Sequence, residues 1–200
     1  GHVTESRVPK DESSYSVVRD MDKCILCRRC VRTCIDVQEV GVLEAVGRSH
    51  QTRIATYLDR PLGEVVCINC GQCINRCPTA ALYAHPALAP VWQALDDPTK
   101  HVVVQTAPSP RAAMGEMFGL EPGTTVTYQM NTALRRMGFD HVFDTNFTAD
   151  LTIIEEGTEL ILRLYKALVQ GDASVALPQF TSCSPGWVKF VEQFYPDLTP

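Results

Sequence analysis

The sequence has no run of the 18 or so apolar residues that a membrane helix needs, so membrane insertion is not expected. It has no basic surplus either: 18 Lys and Arg stand against 23 Asp and Glu, a formal net charge of −5. General nucleic-acid binders carry the opposite balance, so nucleic acid is excluded as a partner class. The N-terminus lacks the charged-then-apolar segment of a secretory signal, which predicts a cytoplasmic, reducing setting. Disorder, collagen and coiled coil are equally poor fits, because 45% hydrophobic and 20% charged residues match the globular average. Two hundred residues suffice for one ordinary domain or two small ones. Against these absences stands one excess: nine cysteines, eight of them between Cys24 and Cys77.

The eight fall into two copies of one spacing. Cys24, Cys27, Cys30 and Cys34 read C-x2-C-x2-C-x3-C, and Cys67, Cys70, Cys73 and Cys77 repeat it, ending in Cys77-Pro78. This is the run that ligates [4Fe–4S] clusters in two-cluster ferredoxins, where the fourth cysteine of each run serves the other cluster. Three cysteines at intervals of three on a tight loop can meet three corners of a cubane, while the fourth sits on the helix that follows. By that rule Cys24, Cys27, Cys30 and Cys77 hold one cluster, and Cys67, Cys70, Cys73 and Cys34 hold the second. Disulfides would need an oxidising compartment. Zinc sites use two separated C-x2-C pairs rather than a triple followed by a fourth.

The flanking residues agree with this reading. Ser14 to Arg19 reads as a short strand entering the first cysteine loop, and Val31 to Val40 as a helix leaving it. Ile25, Leu26, Val66, Ile68 and Ile74 are apolar neighbours able to exclude water, which helps set a cluster's potential. The 32 residues between Cys34 and Cys67 exceed the minimum for a repeat, and Val42 to Val46 with Thr52 to Tyr57 are expected to form an extra hairpin there. Arg28, Arg29 and Arg32 beside the first loop either offset the anionic clusters or form a solvated basic face.

Past Ala81 the composition changes. Pro86, Pro90 and Pro98 mark a linker carrying one short helix, and His101 to Thr106 is a continuous apolar run expected as a buried parallel strand. Ser109 and Pro110 read as an N-cap and first helical residue, with the helix running toward Phe118. A helix over Val126 to Met137 stopped by Gly138, a strand at His141 to Phe143 and a periodic helix over Ala149 to Leu168 follow. Val175 to Thr181 is expected as a third strand, and Pro185 to Tyr195 as a helix capped at Ser184. This alternation predicts an α/β unit with a parallel sheet. An open sheet edge, a long apolar helix without enough partner surface, a start at Gly1-His2 and an end at Leu198-Thr-Pro200 together predict part of a longer protein.

Thr181-Ser-Cys-Ser-Pro-Gly-Trp187 resembles the first active-site signature of [FeFe]-hydrogenases, Thr-Ser-Cys-Cys-Pro-Gly-Trp. Cys67 to Cys73, Gln105 to Pro108, Phe139 to Asp144 and Asp150 to Glu156 are similar to other segments of that family, so the resemblance runs through nearly the whole chain. It implies an α+β two-[4Fe–4S] ferredoxin-like domain over 1–81, a linker with a short helix over 82–100, and the incomplete first part of an α/β, parallel-sheet hydrogenase domain over 101–200. It implies reversible reduction of protons to dihydrogen at a di-iron H-cluster, which only the full-length protein would hold, fed by two [4Fe–4S] clusters. Ala107 and Pro108 would then lie near its dithiolate, Cys183 would exchange protons there, and Glu156, Glu159 and Arg163 would form a proton path. Their i, i+3, i+7 spacing places these three on one helix face. The implied partners are an electron-carrier protein, either ferredoxin or a flavoprotein subunit, and other subunits of a multimeric hydrogenase.

One position departs from the family pattern. Where the family has the first cysteine ligand of its active-site cubane, this chain has Ser184, and a serine hydroxyl gives up its proton far less readily than a thiol. Two other readings therefore stand beside the first: a non-catalytic Fe–S electron-transfer or scaffold protein with a hydrogenase-like domain, and an Fe–S subunit of a respiratory or formate dehydrogenase. The last would have no reason to carry Thr181 to Trp187.

Overall fold

Val17 and Val18 are both 1% exposed, and they belong to strand β1, Val17–Arg19. In the computed structural model, which describes residues 8–199, the chain then turns through the first cysteine loop into a short helix α1, Arg29–Arg32, prolonged by a wider turn over Thr33–Val37. The expected helix is there, but it starts two residues earlier and ends three earlier. The expected hairpin is formed by β2, Glu44–Val46, and β3, Arg53–Ala55, antiparallel with Ala45 opposite Ile54. The second cysteine loop leads into α2, Gln72–Arg76, and β4, Leu82–Ala84, returns antiparallel to β1 with Arg19 opposite Leu82. Val17, Cys30, Val31, Val42, Leu43, Ile54, Leu62 and Leu82 make the core of this unit. The core therefore sits between the two cysteine loops. The first two residues, Gly1-His2, and the last, Pro200, lie outside the described residues.

Strand β4 lies just past the cysteine runs, in the stretch read as linker. Leu82 is buried and completes the β1 ladder, although three residues leave no periodicity by which to tell a strand from a linker. Among the described residues, 8–86 pack together with 182–199 as one unit, and Ala87–Thr181 form another.

The second unit begins with the linker helix α3, Leu88–Leu95. Strand β5, Val103–Gln105, precedes helices α4, Pro110–Met117, and α5, Thr127–Arg136, and pairs parallel with β6, His141–Phe143. The parallel pairing is as expected; the burial is not. Val103 is 49% exposed because the sheet has two strands and one face uncovered. Pro110 opens α4 as expected, but the Ser109 side chain makes no capping bond. Helix α6 runs over Thr145–Leu164 with a wider turn to Val169, starting four residues before its apolar period because the Asp144 side chain accepts from the Asn146 N–H and caps it there. It buries none of its side chains, in keeping with the expected shortage of partner surface.

Val175 to Thr181 is not a strand. Pro178 lies in its middle, and no ladder partner exists for it among the described residues. Helix α7, Pro185–Phe194, closes the first unit; the Ser184 hydroxyl accepts from the Trp187 N–H at 3.4 Å, the expected cap.

Candidate metal centres

Each cysteine loop has to turn tightly enough to present three sulfurs inward, and the backbone does this the same way twice. In the first loop Leu26 and Arg28 take left-handed conformations, with φ of 58° at both. In the second, the corresponding positions are Asn69 at 58° and Gly71 at 70°. Asn and Gly adopt this region readily, whereas Leu and Arg hold it at a cost of about 1–2 kcal/mol each. Successive N–H groups in such turns form a concavity for an anion, a feature of many Fe–S sites. The Leu26 N–H donates to Cys24 Sγ at 3.4 Å, and the Val42 N–H to Cys34 Sγ at 3.3 Å.

The loops frame two cavities. One is lined by Cys24, Cys27, Cys30 and Cys77, with Met21, Ile25, Ile54 and Leu82 supplying apolar walls. The other is lined by Cys34, Cys67, Cys70 and Cys73, with Val17, Val42, Leu62 and Ile68. Each takes three cysteines from one run and the fourth from the other. Of the apolar neighbours expected to exclude water, Ile68 is buried, but Ile25 is 62% and Val66 53% exposed.

The chemistry of the donors fits a cluster. All nine cysteines are free thiols. Burial pushes the Cys30 thiol up to about 11, and Cys24, Cys27 and Cys77 push the same way by like charge. Burial likewise pushes Cys73 up to about 12, reinforced by Cys67, Cys70, Cys30 and Cys34. Burial, then Cys34 and Cys70, raise Cys67, against the pull of the Asn69 N–H and the Lys189 ammonium. Burial acts upward on Cys77 too, yet hydrogen bonds from Thr79, Leu82 and Ala81 outweigh it and hold this thiol below its ordinary value. Thiols crowded in this way ionise together only around a metal centre. A single zinc ion would need its sulfurs about 2.3 Å from one point, and no group of three or more His, Cys, Asp or Glu among the described residues is placed to hold one ion. The spacing suits a polynuclear centre.

Other residues singled out by the sequence are placed as follows. On α6 the Arg163 guanidinium grips Glu159, with Nη2 at 2.7 Å and Nε at 2.9 Å from Oε1, and donates from Nη1 to the Ala176 carbonyl at 3.3 Å. Glu156 is half-buried, and its side chain makes no hydrogen bond or ion pair among the described residues, so two of the three expected path members meet. Ala107 and Pro108 are exposed at the C-terminal end of β5, the end of a parallel strand at which α/β sheets bind ligands. Cys183 is exposed, next to Ser184, whose oxygen is engaged in capping α7.

Two features near the second cavity were not legible in advance. Ser14 Oγ, in a residue 2% exposed, donates to Asn69 Oδ1 at 2.9 Å, and Ser16 Oγ donates to the Asn69 carbonyl at 3.3 Å, joining residues more than 50 positions apart. Gly186 on α7 brings its Cα so close to Cys70 that a Cβ there would stand 3.4 Å from the Cys70 Cβ. Only the matching places of Asn69 and Leu26 in the two runs could have pointed to the first.

Residues 100–200 match the family described as iron-only hydrogenase large subunit, C-terminal domain, and residues 18–81 match the 4Fe-4S dicluster domain family. NADP-reducing hydrogenase subunit HndD of Solidesulfovibrio fructosivorans is 54% identical over 189 residues, covering 94% of this chain and 32% of that protein. Iron hydrogenase 1 of Clostridium pasteurianum is 43% identical over 188 residues, with the same coverage of 94% and 32%. The periplasmic [Fe] hydrogenase large subunit of Nitratidesulfovibrio vulgaris is 37% identical over 171 residues, 70% of this chain and 39% of that protein. The chain thus spans 32% to 39% of the length of these relatives.

Proposed function

The chain belongs to the iron-only hydrogenase large-subunit family, and from that premise we propose that it carries electrons, one at a time, through two [4Fe–4S] clusters to a hydrogen-activating centre completed by the rest of the protein. The single observation that carries the reading is the crosswise cysteine lining of the two cavities. Cys24, Cys27, Cys30 and Cys77 would hold one cluster, and Cys34, Cys67, Cys70 and Cys73 the other. The domain division proposed with it is 1–81, a linker over 82–100, and 101–200.

A di-iron cluster, when bound in the complete protein, supplies the chemistry that interconverts two protons and two electrons with dihydrogen. The residues of this chain do not by themselves fit its cubane: Cys183 is the one cysteine outside residues 24–77, and Ser184 offers a hydroxyl occupied as a helix cap. What this chain would contribute is proton handling. Arg163 holds the Glu159 carboxylate in place, Glu156 stands on the same helix face as a second carboxylate, and Cys183 Sγ offers an exposed thiol. Ala107 and Pro108 would form an apolar wall. The electrons would come from a ferredoxin or a flavoprotein subunit of a multimeric hydrogenase in the cytoplasm.

Ser184 favours a second reading, an Fe–S electron-transfer or scaffold protein without hydrogen chemistry. The two separate cleanly on the full-length protein. Hydrogen uptake with a dye acceptor and infrared bands of iron-bound CO and cyanide are expected from the first; iron and visible absorbance with neither signal would establish the second.

A further inference from the structure

Among the described residues Arg19 is the only buried cation, 8% exposed. An arginine keeps its charge inside a protein, so a buried one calls for an anionic neighbour. Its place is set by β1. Directly opposite it on β4 is Leu82, and residues so paired share a sheet face with their Cβ atoms about 4.5–5.5 Å apart. Leu82 lines the first cavity, as do Met21, two residues further along the chain, and Ala81, whose carbonyl accepts from the Asp20 N–H at 2.8 Å. Arg19 Nη1 donates to Thr56 Oγ1 at 3.3 Å, and Thr56 follows two residues after Ile54, which lines the same cavity. The guanidinium therefore stands behind the wall of the first cavity.

Asp11 pairs with this charge without cancelling it. Nη1 reaches Asp11 Oδ2 at 3.3 Å, but the carboxylate is the more exposed partner, 19% against 9% for the side chains. It also accepts from the Ser13 and Leu62 N–H groups at 3.1 and 2.8 Å, which draw its charge toward that loop. Asp20, the neighbouring buried acid, is met by Lys23 at 3.1 Å and Lys10 at 3.8 Å. Arg19 Nε is buried with no hydrogen-bond partner among the described residues, so the guanidinium is not used up by its structural contacts.

We infer that Arg19 is the internal counter-charge of the first cluster, raising that cluster's potential more than the second's. The inference rests on the reading that Cys24, Cys27, Cys30 and Cys77 hold a cluster. A cubane on four thiolates is an anion, and reduction adds one electron with no bond made or broken. A fixed cation shielded from water favours the more negative, reduced form.

The test uses the cluster-loaded chain, titrated anaerobically while the visible and electron paramagnetic resonance signals are followed and iron is measured. The first cluster's signal is the one lost in Cys24→Ala. At the potential where the wild-type first cluster is half reduced, Arg19→Met is expected to raise its oxidised-to-reduced ratio about tenfold. The second cluster should move less, and Arg19→Lys, which keeps the charge, should stay near wild type. A first cluster unmoved in Arg19→Met with iron intact, a larger shift in the second, or an Arg19→Lys shift equal to that of Arg19→Met would overturn the inference. If Arg19→Met loses iron, Asp11→Asn decides. It leaves Arg19 in place and removes its carboxylate partner, so the first cluster should become easier to reduce; no shift, or one in the other direction, refutes the counter-charge. A purely structural ion pair gives no such opposite signs. Failure of the underlying reading looks different, because Cys24→Ala would then retain all of its iron.

Discussion

The crosswise ligand sets can be tested by pairs of Cys→Ser substitutions whose outcomes exchange if the sets are wrong. Cys34 and Cys67 line the same cavity although they belong to different runs, whereas Cys34 and Cys24 belong to one run but line different cavities. A serine does not ionise near neutral pH, so each substitution breaks one four-cysteine set. A cubane brings four irons, so the native chain should hold about eight. Cys34→Ser with Cys67→Ser breaks a single set twice and should leave about four irons and half the visible absorbance. Cys34→Ser with Cys24→Ser breaks both sets and should leave close to none. If each run served its own cluster, these two results would change places. The three positions are half-buried, unlike Cys30, which is part of the core, so their replacement removes little packing. Iron and sulfide analysis of the anaerobically reconstituted protein reads the outcome directly. About eight minus four irons in the Cys34/Cys24 pair, or near-complete loss in the Cys34/Cys67 pair, would refute the crosswise reasoning.

Leu62, 1% exposed in the wall of the second cavity, should cost about 3–5 kcal/mol when replaced by Ala, because a filled cluster site cannot collapse into the space; accelerated bleaching of the second cluster in denaturant measures it. Lys189→Met should lower the potential of the second cluster and spare the first, since its ammonium acts on Cys67; a redox titration in which both move, or neither, counts against it. Ser184→Ala should destabilise by about 1 kcal/mol through loss of the α7 cap, seen as a lower melting temperature, while Ser184→Cys in the full-length protein should strengthen retention of active-site iron. For Asp11, burial acts upward, but hydrogen bonds from Ser13 and Leu62 and the Arg19 charge outweigh it, so its carboxyl lies below the usual range when folded. Its contribution is therefore complete above the unfolded value of about 3.9 and fades as pH falls through the lower folded value. Asp11→Asn should lower the urea midpoint at pH 7 and converge with wild type in acid.

Local chemistry was legible residue by residue. Pro110 at the start of α4, Gly138 after α5, Ser184 ahead of α7 and the paired hairpin strands 44–46 and 53–55 all stand where short-range rules place them. Elements that depend on a distant partner were not. Leu82–Ala84 is a strand only because β1 offers it a ladder, and Val175 to Thr181, with the composition of a strand, has no ladder to join among the described residues. The α6 helix began early because one side chain, Asp144, captured its first turn. In the candidate site, Glu159 and Arg163 met as a helical i, i+4 pair must, whereas Glu156 kept apart.

The sequence by itself determined that two cubane-sized sets of thiols exist and which family surrounds them, because ligand spacing along a tight loop is a property of the local chain. Only the tertiary structure decided that Asn69 is tied to Ser14 and Ser16, and that α7 packs in the ferredoxin-like unit beside Cys70. These contacts join positions from about 50 to more than 110 residues apart, and they form because burying the β1 and β4 valines and leucines brings both loops onto one core.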